Sequence, residues 1–134
     1  MGAATAIATF GAPNAPAVDR IVLVAPAVWG WSTMPNSYAF ALWVGAHTLP
    51  SRAVQPPRGV YRRITASDNR EALLQAGRAP HMIWTTRIDA LYGLVGLMEE
   101  AMDRSANLEG NVLFLYGAHD QIIPRNSAVA TARR

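Results

Sequence analysis

The chain has 134 residues, of which 51% are hydrophobic and 16% are charged, and it contains no cysteine. This length predicts one domain with a core of useful size. The composition excludes intrinsic disorder, and the lack of cysteine excludes disulfides, thiolate nucleophiles and cysteine metal sites. The net charge is +3, and the twelve basic residues, all arginine, are scattered rather than interleaved with aromatic residues, so we do not expect nucleic-acid binding.

The first ten residues are rich in alanine and predict a helix that ends at Gly11, ahead of two prolines. They lack the basic segment that opens a secretory signal peptide. Residues 21–26 then form a short apolar run rich in β-branched side chains. Such a run is typical of a parallel strand that is buried on both faces.

The stretch between Arg20 and Arg52 contains no residue with a formal charge at pH 7. Prolines and small polar residues interrupt it, so we do not predict a transmembrane helix. Within it, Ser37 is expected to cap a helix over residues 38–44 that is apolar on nearly every side. The aromatic residues of this stretch are Trp29, Trp31, Tyr38, Phe40 and Trp43. Two interpretations of these aromatic residues are equally favoured. They form an ordinary core, or they form a lid that lines an acyl-chain pocket or enters a lipid interface.

Residues 51–63 are rich in proline and arginine, which predicts irregular structure. The sequence Asp68-Asn69-Arg70-Glu71 is a capping-box pattern and predicts a short helix through Gln75, with Gly77 as its C-terminal stop. A longer helix is expected to begin at residues 86–89, because apolar residues recur after them at helical spacing. The residues of this stripe are Ile88, Leu91, Tyr92, Val95, Met98 and Met102.

A second short apolar run, over residues 112–116, predicts another buried strand, and Gly117 allows a sharp turn at its end. Asp120 therefore lies just past the carboxyl end of a strand, where ligands and catalytic groups collect in α/β sheets. Asn126 or Ser127 would cap a last helix.

Strands that alternate with helices indicate a parallel α/β sheet. Two strands with open apolar edges do not form a stable parallel sheet by themselves. We therefore expect residues 1–134 to be the middle of a larger domain, with an inserted helical segment over about residues 29–80.

Three segments resemble the α/β-hydrolase family, in particular its lysophospholipase and monoacylglycerol-lipase branch. Residues 115–124 resemble the segment strand-Gly-x-x-Asp-x-hydrophobic-x-Pro that bears the acid of the catalytic triad. Residues 19–26 resemble the strand before the cap, and residues 1–6 resemble the residues that follow the nucleophile in a Gly-x-Ser-Met-Gly elbow. The resemblance is collinear and spans essentially the whole chain.

The resemblance implies a partial α/β-hydrolase fold with two parallel strands, flanking helices and a helical cap. It makes Asp120 the triad acid, Met1 the oxyanion-hole position, and the aromatic residues of the 29–43 stretch the lining of the cap and substrate pocket. The serine would directly precede Met1 and the histidine would follow Arg134. Because acyl transfer needs both, this chain alone is expected to be inactive.

The substrate implied by the resemblance is an acyl ester such as a monoacylglycerol or a lysophospholipid, with no metal or organic cofactor. The default localisation is cytoplasmic or peripherally membrane-associated. One alternative within the fold is a dehalogenase or epoxide hydrolase, which uses an aspartate nucleophile. Two others are a non-catalytic interaction module with apolar sheet edges and a membrane-surface module that binds through residues 38–44.

The remaining serines and histidines favour structural roles. Ser32, Ser37 and Ser67 do not lie in a Gly-x-Ser-x-Gly setting, so caps and loops explain them better. His119 is adjacent to Asp120 on a turn, where neighbouring side chains point apart, and one histidine with one aspartate is too few for a metal. His47 and His81 are also expected to be structural.

Overall fold

The computed structural model describes residues 1–55, 68–81 and 83–134. The helices within these residues are α1 (Gly2–Phe10), α2 (Asn36–Thr48), α3 (Arg70–Arg78), α4 (Ile88–Arg104) and α5 (Arg125–Ala132). The strands are β1 (Arg20–Val24), β2 (Ala53–Val54), β3 (Thr86–Arg87) and β4 (Asn111–Leu115), with a 3-10 turn over Ser105–Asn107.

The long strands β1 and β4 pair in parallel, with Ile21 opposite Val112 and Val24 opposite Leu115. This confirms the predicted α/β class and the parallel pair with flanking helices. The short strands β2 and β3 form a separate antiparallel ladder. The expectation of irregular structure over residues 51–63 is therefore wrong at Ala53–Val54, and residues 56–63 lie outside the described residues.

The core lies on one side of the parallel pair. Ile21 and Leu23 of β1 point into it and pack with α1, α4 and α5. The buried residues of this cluster are Ala4, Ile7, Ile21, Leu23, Val28, Ala101, Met102, Ile123 and Ala128. Burying these apolar surfaces is the main stabilising contribution to the fold.

The other side of the parallel pair is open. Val22 and Val24 of β1 are 60% and 64% exposed, and Leu113 and Leu115 of β4 are 53% and 45% exposed. The prediction that both strands are buried on both faces is thus wrong for this chain. Its strands have the composition of a two-sided parallel sheet, but helices cover only one face among the described residues.

The first and the longest helices agree with the sequence. Helix α1 ends at Phe10 with Gly11 as its C-cap, and α4 begins at Ile88. From the predicted stripe of α4, Val95, Met98 and Met102 are buried. A Cβ atom on Gly11 would lie 2.3 Å from the Arg104 carbonyl oxygen, so glycine allows α1 to end directly against α4.

Two of the predicted helix caps are wrong, and a proline is the reason in both cases. Helix α2 begins at Asn36 with Pro35 as its N-cap, so Ser37 lies inside the helix. Helix α5 begins at Arg125 with Pro124 as its N-cap and no side-chain cap. Each proline enters in extended geometry, and its carbonyl oxygen accepts the first helical hydrogen bonds. No described helix is both long and apolar enough to cross a membrane.

Helix α3 begins in the predicted place, but with a different cap and a different end. The Asn69 Oδ1 atom accepts a hydrogen bond from the Ala72 N–H at 3.1 Å, so Asn69 is the N-cap, and the capping box that Asp68 and Glu71 would form is not observed among the described contacts. The helix continues through Gly77 to Arg78, so the predicted stop at Gly77 is wrong. Pro80 explains the observed end, because it forces Ala79 into the extended conformation.

Candidate active site

The carboxyl ends of β1 and β4 open onto a cavity of about 1260 Å³. Its walls come from residues 25–34, the loop over residues 117–123, and helices α2, α3 and α4. Most of the lining side chains are apolar, as in binding sites for organic ligands. The polar and charged residues of the lining are Asp68, Arg70, His119, Asp120 and Gln121.

Asp120 lies in the loop that follows β4 and lines this cavity. Its Oδ1 atom accepts hydrogen bonds from the backbone N–H groups of Ile122 and Ile123, at 2.8 and 3.1 Å. Its own N–H donates to the Gly117 carbonyl oxygen at 3.1 Å. The loop therefore fixes the carboxylate through one oxygen, while Oδ2 has no hydrogen bond from the described residues. A carboxylate held in this way can accept a hydrogen bond from a neighbouring group in the cavity.

Tyr116, the residue after β4, braces the same loop. Its hydroxyl group donates to the Ile123 carbonyl oxygen at 2.7 Å, and the N–H of that residue donates to Asp120. The phenol ring is half-buried and packs against the core. Tyr116 therefore links the position of the carboxylate to the sheet, a role that the sequence analysis did not assign.

Met1 lines the same cavity as Asp120. It is the N-cap of α1, and its carbonyl oxygen accepts the Thr5 N–H at 3.1 Å. The structure thus brings together the two positions that the sequence assigned to the triad acid and to the oxyanion hole. Their catalytic roles stay predictions.

The aromatic residues that the sequence predicts to line the pocket lie in different environments in the structure. Trp29 lines the cavity, whereas Trp31 packs against Tyr92 with ring centroids 5.0 Å apart. The other three belong to α2 and lie outside the cavity lining; they are Tyr38, Phe40 and Trp43, all exposed. Trp43 packs on His47, whose ring contacts Tyr92, so these two rings connect Trp43 to Trp31 outside the buried core.

The rejected nucleophile and base candidates have structural contacts. The Ser32 hydroxyl group and N–H donate to Glu99 Oε2 at 3.1 and 2.9 Å, which fastens the loop after β1 to α4. The ring of His47 lies 2.7 Å from the Trp43 carbonyl oxygen. His119 lines the cavity beside Asp120, and no serine belongs to the described lining.

Two other candidates stand apart from the cavity lining. His81 is exposed in the turn after α3. Ser67 lies outside the described residues.

The loop after β1 contains a strained residue that sequence alone does not reveal. Ala25 has a φ of 43° although it is not glycine, and its N–H donates to the Leu115 carbonyl oxygen at 2.8 Å. The left-handed conformation costs roughly 1–2 kcal/mol for such a residue. This bond ties the cavity wall to the end of β4, and Pro26 after it turns the chain into the buried part of the loop.

The lining residues that sequence reasoning missed include Leu42 on α2, Leu73 on α3, and Asp68 and Arg70 at the beginning of α3. Their spacing marks only helices and a cap. They reach the cavity through the packing of the helices, so no local signal could have identified them. Among the residues that the structure describes, no three histidine, aspartate or glutamate side chains lie together as metal ligands.

Comparisons with known proteins add one finding. The family model described as serine aminopeptidase, S33, a serine hydrolase family of the α/β-hydrolase superfamily, matches residues 1–134. No curated protein and no solved structure matched the chain.

Proposed function

Because that family model spans all 134 residues, the chain belongs to the serine aminopeptidase S33 family, and from this premise we propose that it supplies the acid and acyl cavity of a serine ester hydrolase. The substrate would be an acyl ester of the monoacylglycerol or lysophospholipid type. The observation that carries the proposal is the position of Asp120, which follows β4 and faces a large apolar cavity.

In this proposal Asp120 orients the catalytic histidine. A triad acid accepts a hydrogen bond from the imidazole N–H, holds the ring in one tautomer and stabilises its charged form during acyl transfer. The two backbone hydrogen bonds to Oδ1 keep the carboxylate in place before the histidine arrives, and Oδ2 is left for the imidazole. No reorganisation of the loop is then needed at the moment of reaction.

The cavity would hold the acyl chain. Trp29 and Met34 come from the loop after β1, and Leu91, Val95 and Met98 come from α4. These side chains present a continuous apolar wall beside the Asp120 loop, and each methylene buried there is worth about 0.8 kcal/mol. An acyl substrate is therefore favoured over a wholly polar one.

The nucleophile and the base would come from outside the described lining, which contains no serine. The histidine that lines the cavity, His119, follows Ala118 on the same turn as the carboxylate and is exposed. It makes no hydrogen bond with Asp120 among the described contacts. We therefore assign neither reacting group to this part of the chain.

Ester hydrolysis tests the proposal. The chain itself is expected to show no turnover of p-nitrophenyl laurate above the buffer rate. If the adjoining coding sequence reads in frame through a Gly-x-Ser elbow and a later histidine, the longer product should hydrolyse the ester. In that product, Asp120→Asn should lower kcat by about 10⁴-fold, as expected for loss of a triad acid.

Asp19→Asn is the matched control, because Asp19 is exposed just before β1, at the opposite end of the strand from the cavity. It should leave kcat unchanged. If the chain itself hydrolyses the ester and Asp120→Ala abolishes this activity, the conclusion that the nucleophile and the base lie outside the described lining is refuted. An adjoining frame without the serine and histidine would refute the ester hydrolase.

A second function is favoured by one observation, the exposure of the aromatic side chains of α2. Tyr38, Phe40 and Trp43 are at least half exposed, and α2 contains no residue with a formal charge. Phe40 and Trp43 are three residues apart and share one side of α2. We propose that this side rests on a lipid surface, where aromatic side chains are stabilised between water and acyl chains. Phe40→Ser with Trp43→Ser should reduce co-sedimentation with phosphatidylcholine vesicles, whereas Val22→Thr on the open sheet face should not.

A further inference from the structure

Helix α3 places two opposite charges on the wall of the otherwise apolar cavity. Asp68 lies just before the helix and Arg70 is its first residue, and both line the cavity. They lie on a different element from Asp120, which belongs to the loop after β4. Charged groups thus reach the cavity from two elements, the beginning of α3 and the loop after β4.

Neither charge is neutralised within the described part of the chain. The ion pairs there join Arg87 to Asp89, Arg104 to Glu100, and Arg134 to Asp103, each of them outside the cavity lining. The side chains of Asp68 and Arg70 are exposed, and they form no ion pair with each other although they are two residues apart. Two opposite charges that stay apart in this way can each receive a separate group of a ligand.

The two side chains differ in what they bind. A guanidinium group donates two parallel hydrogen bonds to a phosphate or carboxylate. A carboxylate attracts an ammonium group and cannot donate a hydrogen bond when ionised. A ligand that satisfies both therefore has a negative and a positive group a few atoms apart, joined to an apolar chain that fills the rest of the cavity.

We propose that Asp68 and Arg70 select an amphiphile with a zwitterionic head, in which Arg70 binds the phosphate and Asp68 binds the ammonium group. This inference rests on the proposed function, because it takes the apolar part of the cavity as the acyl site. It narrows the substrate class from acyl esters in general to those with a charged head, and it makes these two residues determinants of specificity. A neutral glycerol head would leave both charges without a partner.

Binding to the full chain, measured by calorimetry below the critical micelle concentrations, tests this inference with three probes that share a dodecyl chain. The probes are dodecylphosphocholine, dodecyl phosphate and the neutral monolauroylglycerol. We expect dodecylphosphocholine to bind at least tenfold more tightly than monolauroylglycerol. Arg70→Gln should weaken both phosphate probes about tenfold, and Asp68→Asn should weaken dodecylphosphocholine alone.

The control variants come from the same helix. Arg78→Gln removes an arginine from the last turn, and Glu71→Gln removes an acid from the first turn; neither residue lines the cavity. Both should bind all three probes as the unchanged chain does. Circular dichroism of each variant checks that α3 is retained.

The outcomes separate the inference from the function on which it rests. Equal affinity for the three probes, or equal effects of Arg70→Gln and Arg78→Gln, would overturn the head-group assignment and leave the acyl cavity standing. Failure of every dodecyl probe to bind would overturn the acyl cavity and the inference together. Loss of ester hydrolysis in the longer product, with head-group selection retained, would refute only the catalytic role.

Discussion

At the scale of single residues, polar side chains that are partly or fully buried differ in whether they have a hydrogen-bond partner. Asp120 accepts two backbone hydrogen bonds, and Tyr116 donates to the Ile123 carbonyl oxygen. Ser127 of α5 is fully buried, yet its hydroxyl group has no hydrogen-bond partner in the described structure. An unsatisfied buried hydroxyl costs free energy because it has given up its hydrogen bonds to water.

Ser127→Ala should therefore raise the free energy of unfolding by about 1 kcal/mol, since alanine removes the unsatisfied group and favours the helix. Urea denaturation followed by circular dichroism measures the change. Ser105→Ala is the matched control, because the Ser105 hydroxyl group donates to the Met102 carbonyl oxygen at 2.7 Å. Ser105→Ala should lower the free energy of unfolding by about 1 kcal/mol. Equal effects of the two substitutions would contradict the conclusion that the Ser127 hydroxyl group has no hydrogen-bond partner.

The Arg87–Asp89 ion pair at the beginning of α4 should make stability depend on pH. The hydrogen bond from Arg87 lowers the pKa of the Asp89 carboxyl group below its ordinary value. Because the folded pKa is depressed, the stabilisation is fully present above the pKa of the unfolded residue, about 3.9, and is lost as the pH falls through the folded pKa.

The unchanged chain should therefore be more stable than Asp89→Asn by a constant amount between pH 7 and about 5, and the difference should shrink below about 3.9. Urea midpoints across this pH range measure it. The pair is exposed, so the effect is expected to be small. Asp19 forms no ion pair among the described residues, so Asp19→Asn should not show this pH-dependent difference in stability. If the stability difference between the unchanged chain and Asp89→Asn grew as the pH fell, the mechanism would be contradicted.

At the scale of elements, α4 holds both the core and the wall of the cavity. It contacts α1 and α2, and its buried residues Val95 and Met98 also line the cavity. The loop after β1 packs closely on α4 at Gly30. A Cβ atom added to Gly30 would lie 2.1 Å from Glu99 Oε2 and 2.6 Å from the Glu99 Cα atom. Only glycine allows this approach, because the helix backbone cannot give way.

Gly30→Ala should push the loop away from α4 and lower the free energy of unfolding by about 1–3 kcal/mol. Because Trp29 and Met34 lie on this loop and line the cavity, binding of a dodecyl probe should weaken as well. Calorimetry and urea denaturation measure the two effects. Gly93→Ala on α4 is the control: its Cβ atom would meet nothing within 4 Å, so it should stabilise the helix by up to about 1 kcal/mol.

At the scale of the whole molecule, the parallel pair has one covered face and one open face. Ile21 and Leu23 are buried, whereas Val22, Val24 and Leu113 on the other face are more than half exposed. Contiguous exposed apolar surface of this kind promotes association. We therefore expect the chain to self-associate through this face at high concentration.

Neighbouring residues on β1 should differ in how much their substitution changes stability. Leu23→Thr should lower the free energy of unfolding by about 2–4 kcal/mol, because it removes buried methyl groups and buries a hydroxyl. Val24→Thr should change it by no more than about 0.5 kcal/mol, and together with Leu113→Thr it should reduce self-association measured by light scattering. Loss of stability with Val24→Thr would show that this face is covered.

The amino-acid sequence by itself determined the α/β class, the positions of β1 and β4, most helices, and the place of Asp120 after a strand. These follow from local patterns, namely apolar runs, helical spacing and a glycine turn, which act over a few residues. The caps of α2 and α5 differ from the prediction because Pro35 and Pro124 start these helices, ahead of the serine and asparagine side chains that favour a capping role.

Only the tertiary structure decided which apolar surfaces are covered and which side chains share the cavity. Val22 and Ile21 have similar sequence signals, but one is exposed and the other buried, because burial depends on which helices pack against each face. Asp68 and Arg70 have only the local signature of a helix cap, and the packing of α3 brings them to the cavity. Such contacts join residues far apart in the chain, so a local pattern cannot contain them.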